Sequence, residues 1–182
     1  MRFIETLKNI WKIEELRNKL LITFLFVVIY RLGTFVVLPG VDPGALKALQ
    51  HNASGGLLGL LDMFSGGAFA KGSIFALGIM PYISASIVIQ LLGIALPYFQ
   101  KLQREGESGR TKLNQYTRYL TVAILLFQGP AYLLGALGQA APQDFLGFLL
   151  PSTIILAGGS MFVLWLGEKI TDKGIGNGVS FI

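Results

Sequence analysis

Residues 73–96 form an apolar run without a single charged side chain, and this run limits what the chain can fold into. A transmembrane helix needs about 20 mostly apolar residues. Three further stretches approach the same pattern, at about residues 20–38, 119–137 and 148–167. Only 14% of the 182 residues are charged, whereas a typical soluble domain has about 25%. We therefore predict an all-α membrane protein with four transmembrane helices.

The lysine and arginine residues are distributed unevenly between the loops. Residues 1–19 and 98–118 hold five each, and the tail from residue 169 holds two. The other two loops hold two in residues 39–72 and none in residues 138–151. Because cytoplasmic loops carry the excess of positive charge, both ends of the chain should face the cytoplasm. The net charge of +5 is then a topology signal, and we predict no direct recognition of nucleic acid.

These boundaries divide the chain into three parts. Residues 1–19 form a cytoplasmic N-terminal segment, residues 20–168 the membrane domain, and residues 169–182 a cytoplasmic loop that leads toward a fifth span. The first part alternates basic and apolar residues near helical spacing. This pattern fits an amphipathic helix on a membrane surface and fits equally well a solvated helix packed on the same protein.

A short apolar segment, residues 56–64, precedes the second span. Nine helical residues reach only about 13.5 Å, which is less than half of a hydrocarbon core of about 30 Å. The glycines of Ser65-Gly66-Gly67 then allow the backbone to turn. We favour a re-entrant element, which is tolerated at membrane depth only inside protein or beside a cavity. An interfacial helix lying flat outside the membrane is the alternative.

The second span combines an isoleucine stripe with polar positions. Ile79, Ile83 and Ile87 recur every four residues and so lie near one face of a helix. Pro81 can kink this helix, and polar groups come from Ser84, Ser86 and Gln90. Such a stripe could line an apolar constriction that excludes water and ions. From the spacing alone, ordinary packing residues are the more common explanation.

Arg31 lies inside the first predicted span. A charged side chain there is costly unless it reaches the interface or finds a partner. Its place near the outer end of the span favours a side chain that extends to the interface.

Reactive side chains are scarce in this sequence. It contains no cysteine, which excludes disulfides and thiolate metal sites. No nucleophile is grouped with a base, and no cluster of metal ligands is evident. We predict no enzymatic activity, no cofactor and no metal site.

Several long blocks resemble the bacterial SecY family of protein-conducting channels. The plug and second span of that family are similar to FSGGAFAKGSIFALGIMPYISASIVIQLL. The next cytoplasmic loop is similar to REGESGRTKLNQYTRYLT, and the end of the fourth span to LWLGEKITDKGIGNGVSFI. The exit of the first span is similar to YRLGTFVVLPGVD. The resemblance covers essentially the whole chain in order.

The resemblance implies roles for particular residues. The plug, a short re-entrant helix that blocks the pore, matches Leu57, Leu58, Leu60, Leu61 and Phe64. The hinge of the plug matches Gly66 and Gly67. The apolar pore ring matches Ile79 and Ile83. The lateral-gate face that meets a signal sequence matches Ser84, Ile87 and Gln90.

The resemblance also implies a function. The family has a ten-helix, pseudo-symmetric channel fold, so a chain more than twice as long is expected. Such a channel moves unfolded polypeptides across the bacterial inner membrane and releases hydrophobic segments sideways into lipid. The implied partners are SecE-like and SecG-like membrane subunits, a SecA-like motor ATPase, the ribosome, signal sequences and nascent polypeptides. The alternatives are half of a secondary transporter, which also uses broken helices, and a membrane assembly factor that conducts nothing.

Overall fold

The computed structural model describes residues 11–42, 44–47, 57–138, 140–142 and 144–182. Most of the predicted N-terminal segment lies outside these ranges, so both interpretations of that segment stay open. The described part of the chain is mostly helical and contains no strand longer than an isolated bridge. The predicted all-α class is therefore confirmed for these residues.

Long connections precede and follow the short second helix, whereas most later helices follow one another closely. The helices are α1 (Glu14–Gly33), α2 (Leu57–Phe64), α3 (Met80–Ala95), α4 (Pro97–Arg104), α5 (Glu107–Gly135), α6 (Leu150–Lys173) and α7 (Gly178–Phe181). A π-helical turn, Phe145–Leu149, leads directly into α6.

Helix α1 ends five residues before the limit predicted for the first span. After Gly33 the chain leaves the helix, and Val37 pairs with Ser73 in an antiparallel bridge. The Leu38 amide donates to the Gly72 carbonyl at 2.8 Å. Pro39 disfavours a helical conformation at Leu38, so the helix does not reach the predicted limit. The exit of the first helix is thereby joined to the segment that enters α3.

Helix α3 begins at Met80, whereas the sequence predicted a helix from Ser73. The intervening residues form turns, with Gly78 at a φ of 51°. Pro81 lies in the first turn of α3, where its missing N–H costs nothing. The prediction of a kink at Pro81 was therefore wrong, because this proline starts the helix.

Helix α3 ends at a sharp bend. The axes of α3 and α4 differ by 102° across the break at Leu96. Pro97 restricts Leu96 to an extended conformation with a ψ of 126°. The Gln100 side chain donates to the Ile94 carbonyl at 2.7 Å and satisfies one carbonyl left open by the break.

Two groups of buried side chains hold the helices together. Helix α5 packs against α3 and α6, and α1 packs against α6. The larger group fills the space beside α5 and α6 and includes Leu125, Leu133 and Leu156. The smaller group joins α1 to α6 and consists of Tyr30, Phe75, Val163 and Leu166.

The outer faces of the helices are also apolar. Phe24 of α1, Ile94 of α3 and Phe127 of α5 are 69%, 74% and 82% exposed. A water-soluble monomer rarely exposes large contiguous apolar patches, so this surface favours lipid or partner chains as its surroundings.

Within the described ranges, length and hydropathy single out one helix that could cross a membrane, Leu146–Lys173, with a mean hydropathy of 1.8. Helices α3 and α4 are long and apolar enough to cross a membrane only when the bent pair is counted as one broken span. Helices α1 and α5 cover much of the predicted first and third spans. Their described residues do not combine the length and hydropathy that single out Leu146–Lys173. The number of four spans therefore remains a prediction.

Candidate pore and plug site

Helix α2 covers Leu57–Phe64, the segment matched to the plug. Its length of eight residues is too short to cross a bilayer. The side chains of Leu57, Leu58 and Leu61 lie outside the part of the chain that the structure describes. Leu60 and Phe64 are 55% and 78% exposed, so this apolar helix offers side chains to a cavity or to a partner surface.

The loop after α2 is closed by its own hydrogen bonds. The Asp62 carbonyl accepts from the Gly67 amide at 2.8 Å, and the Asp62 carboxylate accepts from the Ala70 amide at 2.8 Å. Ser65 Oγ accepts from the Phe69 amide at 2.9 Å. Gly66 has a φ of 62°, a conformation in which a side chain is strained. Residues 62–70 therefore form a compact turn.

Three side chains from other helices hold this turn. The Tyr30 hydroxyl donates to the Ser65 carbonyl at 3.0 Å, and the Arg31 guanidinium donates to the Gly66 carbonyl. The Tyr132 hydroxyl of α5 donates to the Phe69 carbonyl at 2.6 Å. The structure gives Arg31 a backbone partner, which is one of the two ways in which the sequence analysis allowed its charge to be accommodated.

A cavity of about 540 Å³ brings three predicted groups together. Phe64 from the predicted plug lies on its wall with Ile79 and Ile83 from the predicted pore ring and Ser84 from the predicted gate. The end of the chain, residues 179–182, also lines the wall. Residues far apart in sequence thus share one largely apolar space.

The two predicted pore-ring residues differ in their surroundings. Ile79 caps the start of α3 and packs with the smaller core group near Gly167 of α6. Ile83 is 43% exposed and lies open to the cavity. Ile83 is therefore the more accessible of the two side chains.

A second cavity, of about 620 Å³, lies along the next turns of α3. Ile87 and Gln90 line it together with Ile83, whereas Ser84 does not. The Gln90 side chain donates to Ser86 Oγ at 3.2 Å. The three predicted gate residues thus divide between two adjoining cavities that meet at Ile83.

An ion pair at the edge of the second cavity was not anticipated. Arg118 of α5 donates to both carboxylate oxygens of Glu168 of α6 at 2.7 and 2.6 Å. The hydrogen bond to Glu168 raises the pKa of Arg118, so this guanidinium stays charged. The sequence shows opposite charges at the ends of two predicted spans, but only the folded structure shows that these two side chains form an ion pair.

In the described ranges, no three His, Cys, Asp or Glu side chains lie close enough together to share a metal ion.

The sequence did not predict that Tyr30 and Tyr132 contact the turn after α2, because tyrosine is common in membrane helices. Arg31 did give a signal, since an intramembrane charge needs a partner.

Comparison of the sequence with known proteins identifies the family of this chain. The SecY family profile matches residues 73–182, which is more than half of the chain. The protein translocase subunit SecY of Pseudomonas aeruginosa is 47% identical over 93% of this chain and 39% of its own length. Those of Aquifex aeolicus and Escherichia coli K12 are 42% and 43% identical, over 98% and 92% of this chain. This chain covers 43% and 39% of those two relatives.

The fold also matches a solved structure. The chain is similar to Sec61 in the canine ribosome-channel complex from the endoplasmic reticulum, with a TM-score of 0.62 and 18% identity. The similarity covers 90% of this chain and 34% of that one. This chain spans about two fifths of the length of its bacterial relatives. Because the family profile matches more than half of its residues, the chain belongs to the SecY family.

Proposed function

We propose that this chain contributes the plug, part of the pore ring and one face of the lateral gate to a protein-conducting channel. The channel would move unfolded polypeptides across the membrane and release hydrophobic segments into lipid. The observation that carries this proposal is the cavity in which Phe64 of the plug meets Ile79 and Ile83.

An apolar ring suits the passage of many different sequences. Branched aliphatic side chains offer no hydrogen-bonding partners, so a polypeptide can slide past without being held at one position. In the closed state, such a constriction blocks ions because water leaves a narrow apolar space. The half-exposed Ile83 and the exposed Phe64 are the side chains available to form that seal.

The second cavity supports the lateral-gate role of α3. Ile87 is 51% exposed there, and Gln90 presents a polar side chain beside it. Contacts between helices in lipid gain little from the hydrophobic effect, because lipid tails are equally apolar. A hydrophobic signal helix can therefore displace a neighbouring helix from this face at small cost.

The proposed location is the bacterial inner membrane, with the N-terminal end in the cytoplasm. We propose SecE-like and SecG-like subunits, a SecA-like motor and the ribosome as partners of the complete channel. A role as half of a transporter is less well supported, because the family profile and the shared fold favour a channel.

The pore assignment can be tested by ion leak. In a reconstituted channel that carries these residues, replacing Ile79 and Ile83 by glycine should raise closed-state conductance, since the apolar seal is removed. Val88→Gly with Ile94→Gly is the matched control. These two positions are exposed on the same helix and line neither cavity. Equal leak from the two double variants would contradict the pore assignment.

A second measurement separates a channel from a transporter or an assembly factor. Residues 1–182 contain no cysteine. Once any cysteines elsewhere in the complete channel are replaced, a single cysteine at position 83 can be crosslinked specifically to a stalled secretory polypeptide. A channel should give a crosslink at position 83 and none at position 94. Absence of the crosslink at position 83 would exclude passage of the polypeptide through this cavity.

A further inference from the structure

The loop that follows the plug helix is held by two consecutive residues of α1. Tyr30 and Arg31 donate to the consecutive carbonyls of Ser65 and Gly66, immediately after the last plug residue, Phe64. Adjacent donors on one helix thus meet adjacent acceptors on another segment. This pairing sets the position of the plug relative to α1.

Tyr30 is rigid enough to act as a positioning group. Its side chain is buried, with 6% of its surface exposed, and its ring stacks on Phe75 with centroids 5.8 Å apart and planes 5° apart. Phe75 in turn packs against Phe162 of α6 at 5.8 Å. The hydroxyl that reaches the Ser65 carbonyl is therefore held by the core.

Arg31 provides a charged donor at the same place. It lies in the last turn of α1, where a positive charge is favourable with respect to the helix dipole. Its guanidinium carbon also lies 5.8 Å from the centre of the Phe35 ring. A hydrogen bond from a charged donor is roughly twice as strong as a neutral one, so Arg31 should contribute more than Tyr30.

The internal bonds of the loop determine what these two residues hold. The Asp62 carboxylate accepts from Ala70, and the Asp62 carbonyl accepts from Gly67, so the turn is tied across its whole length. The Ser65 carbonyl also accepts from the Ala68 amide at 3.2 Å. A displacement of Phe64 as part of this turn would therefore pull the Ser65 and Gly66 carbonyls away from α1.

We propose that Arg31 and Tyr30 are positioning residues that hold the plug against the pore cavity in the closed channel. The proposal rests on the proposed channel function. Plug displacement would break both hydrogen bonds, and their strength would help set how readily the closed channel opens.

The test uses reconstituted channels that carry these residues with Tyr30→Phe or Arg31→Leu. Two readouts apply: ion leak without substrate, and labelling of a Phe64→Cys reporter by a thiol reagent that cannot cross the membrane. Loss of one ordinary hydrogen bond shifts a two-state equilibrium about fivefold. Both readouts should rise about that much in Tyr30→Phe and further in Arg31→Leu, with partial recovery in Arg31→Lys.

Matched controls lie at positions away from the plug. Arg17→Leu removes an arginine from α1, and Tyr119→Phe removes a tyrosine hydroxyl from α5; neither residue lines the cavity. Both controls should leave leak and labelling unchanged. Because Tyr30→Phe removes a single oxygen atom, it decides the question if Arg31→Leu fails to insert.

The outcomes distinguish the two proposals. Unchanged leak and labelling in Tyr30→Phe and Arg31→Leu, with a raised leak in the Ile79→Gly and Ile83→Gly double variant, would overturn the plug-holding role alone. If the double variant also leaks no more than the parent channel, the proposed pore itself is wrong.

Discussion

Glycine at position 159 is required by a close approach between α6 and the turns before α3. A Cβ atom there would lie 2.1 Å from the Ile74 carbonyl oxygen and 3.2 Å from a ring carbon of Phe75. The obstacle is backbone, which cannot rotate away as a flexible side chain could. The neighbouring Gly158 has open space where its Cβ would lie.

These two glycines give a matched prediction. Gly159→Ala should destabilise the protein by about 1–3 kcal/mol, as overpacking of a tight contact usually does. Gly158→Ala should be neutral or stabilise by up to about 1 kcal/mol, because alanine favours the helix. The thermal midpoint of the purified protein in detergent measures both. Equal midpoints for the two variants would contradict the close approach.

At the level of single residues, the sequence predicted types of environment better than particular partners. Arg31 was recognised as a charge that needs compensation, but the Gly66 carbonyl could not be identified. That partner comes from a loop more than thirty residues away in the chain. Tyr132 carried no signal at all, since its contact with Phe69 depends on how α5 is placed.

At the level of elements, the apolar runs predicted helices well and their ends less well. Helix α2, the proposed plug, has the predicted last residue, Phe64, because the glycines that follow end it. Helix α3 starts seven residues after the predicted position, because hydropathy does not distinguish apolar turns from an apolar helix. Helix α5 starts earlier than the predicted span, because a helix can continue into polar sequence beyond the membrane.

The Arg118–Glu168 pair connects two of these elements, α5 and α6. The side chains are 49% and 32% exposed, so solvent weakens their attraction. A double-mutant cycle of Arg118→Gln and Glu168→Gln should give a coupling of about 0.2–1 kcal/mol.

The coupling should fall as ionic strength rises, because salt screens exposed charges. Arg17 and Glu14, 3.9 Å apart on α1, are the control pair and should couple more weakly. Thermal unfolding in detergent at low and high salt measures both cycles. A coupling at Arg118 that is absent at low salt would show that the ion pair does not connect the helices energetically.

At the level of the whole molecule, the distribution of positive charge predicts the topology. Residues 98–118 should be cytoplasmic and residues 138–151 should face the other side. Residues 1–182 contain no cysteine. After replacement of any cysteines elsewhere in the complete protein, single cysteines can be placed at the exposed positions Lys112 and Asp144.

An impermeant thiol reagent applied to intact cells should label Asp144→Cys but not Lys112→Cys. Permeabilised cells should label both. The reverse result would invert the predicted orientation. Labelling of both positions in intact cells would mean that α5 does not cross the membrane, contrary to the prediction of four spans.

Local sequence properties were sufficient for the helical class and for a short helix that ends at Phe64, and they predict a side of the membrane for each loop. Each of these follows from composition within a window of about 20 residues or fewer. The joining of Phe64, Ile79 and Ile83 around one cavity needed the tertiary structure, as did the hydrogen bonds from Tyr30 and Arg31 to the loop after α2. The physical reason is that a hydrogen bond or a cavity wall depends on distances between segments remote in sequence, whereas hydropathy depends only on neighbours along the chain.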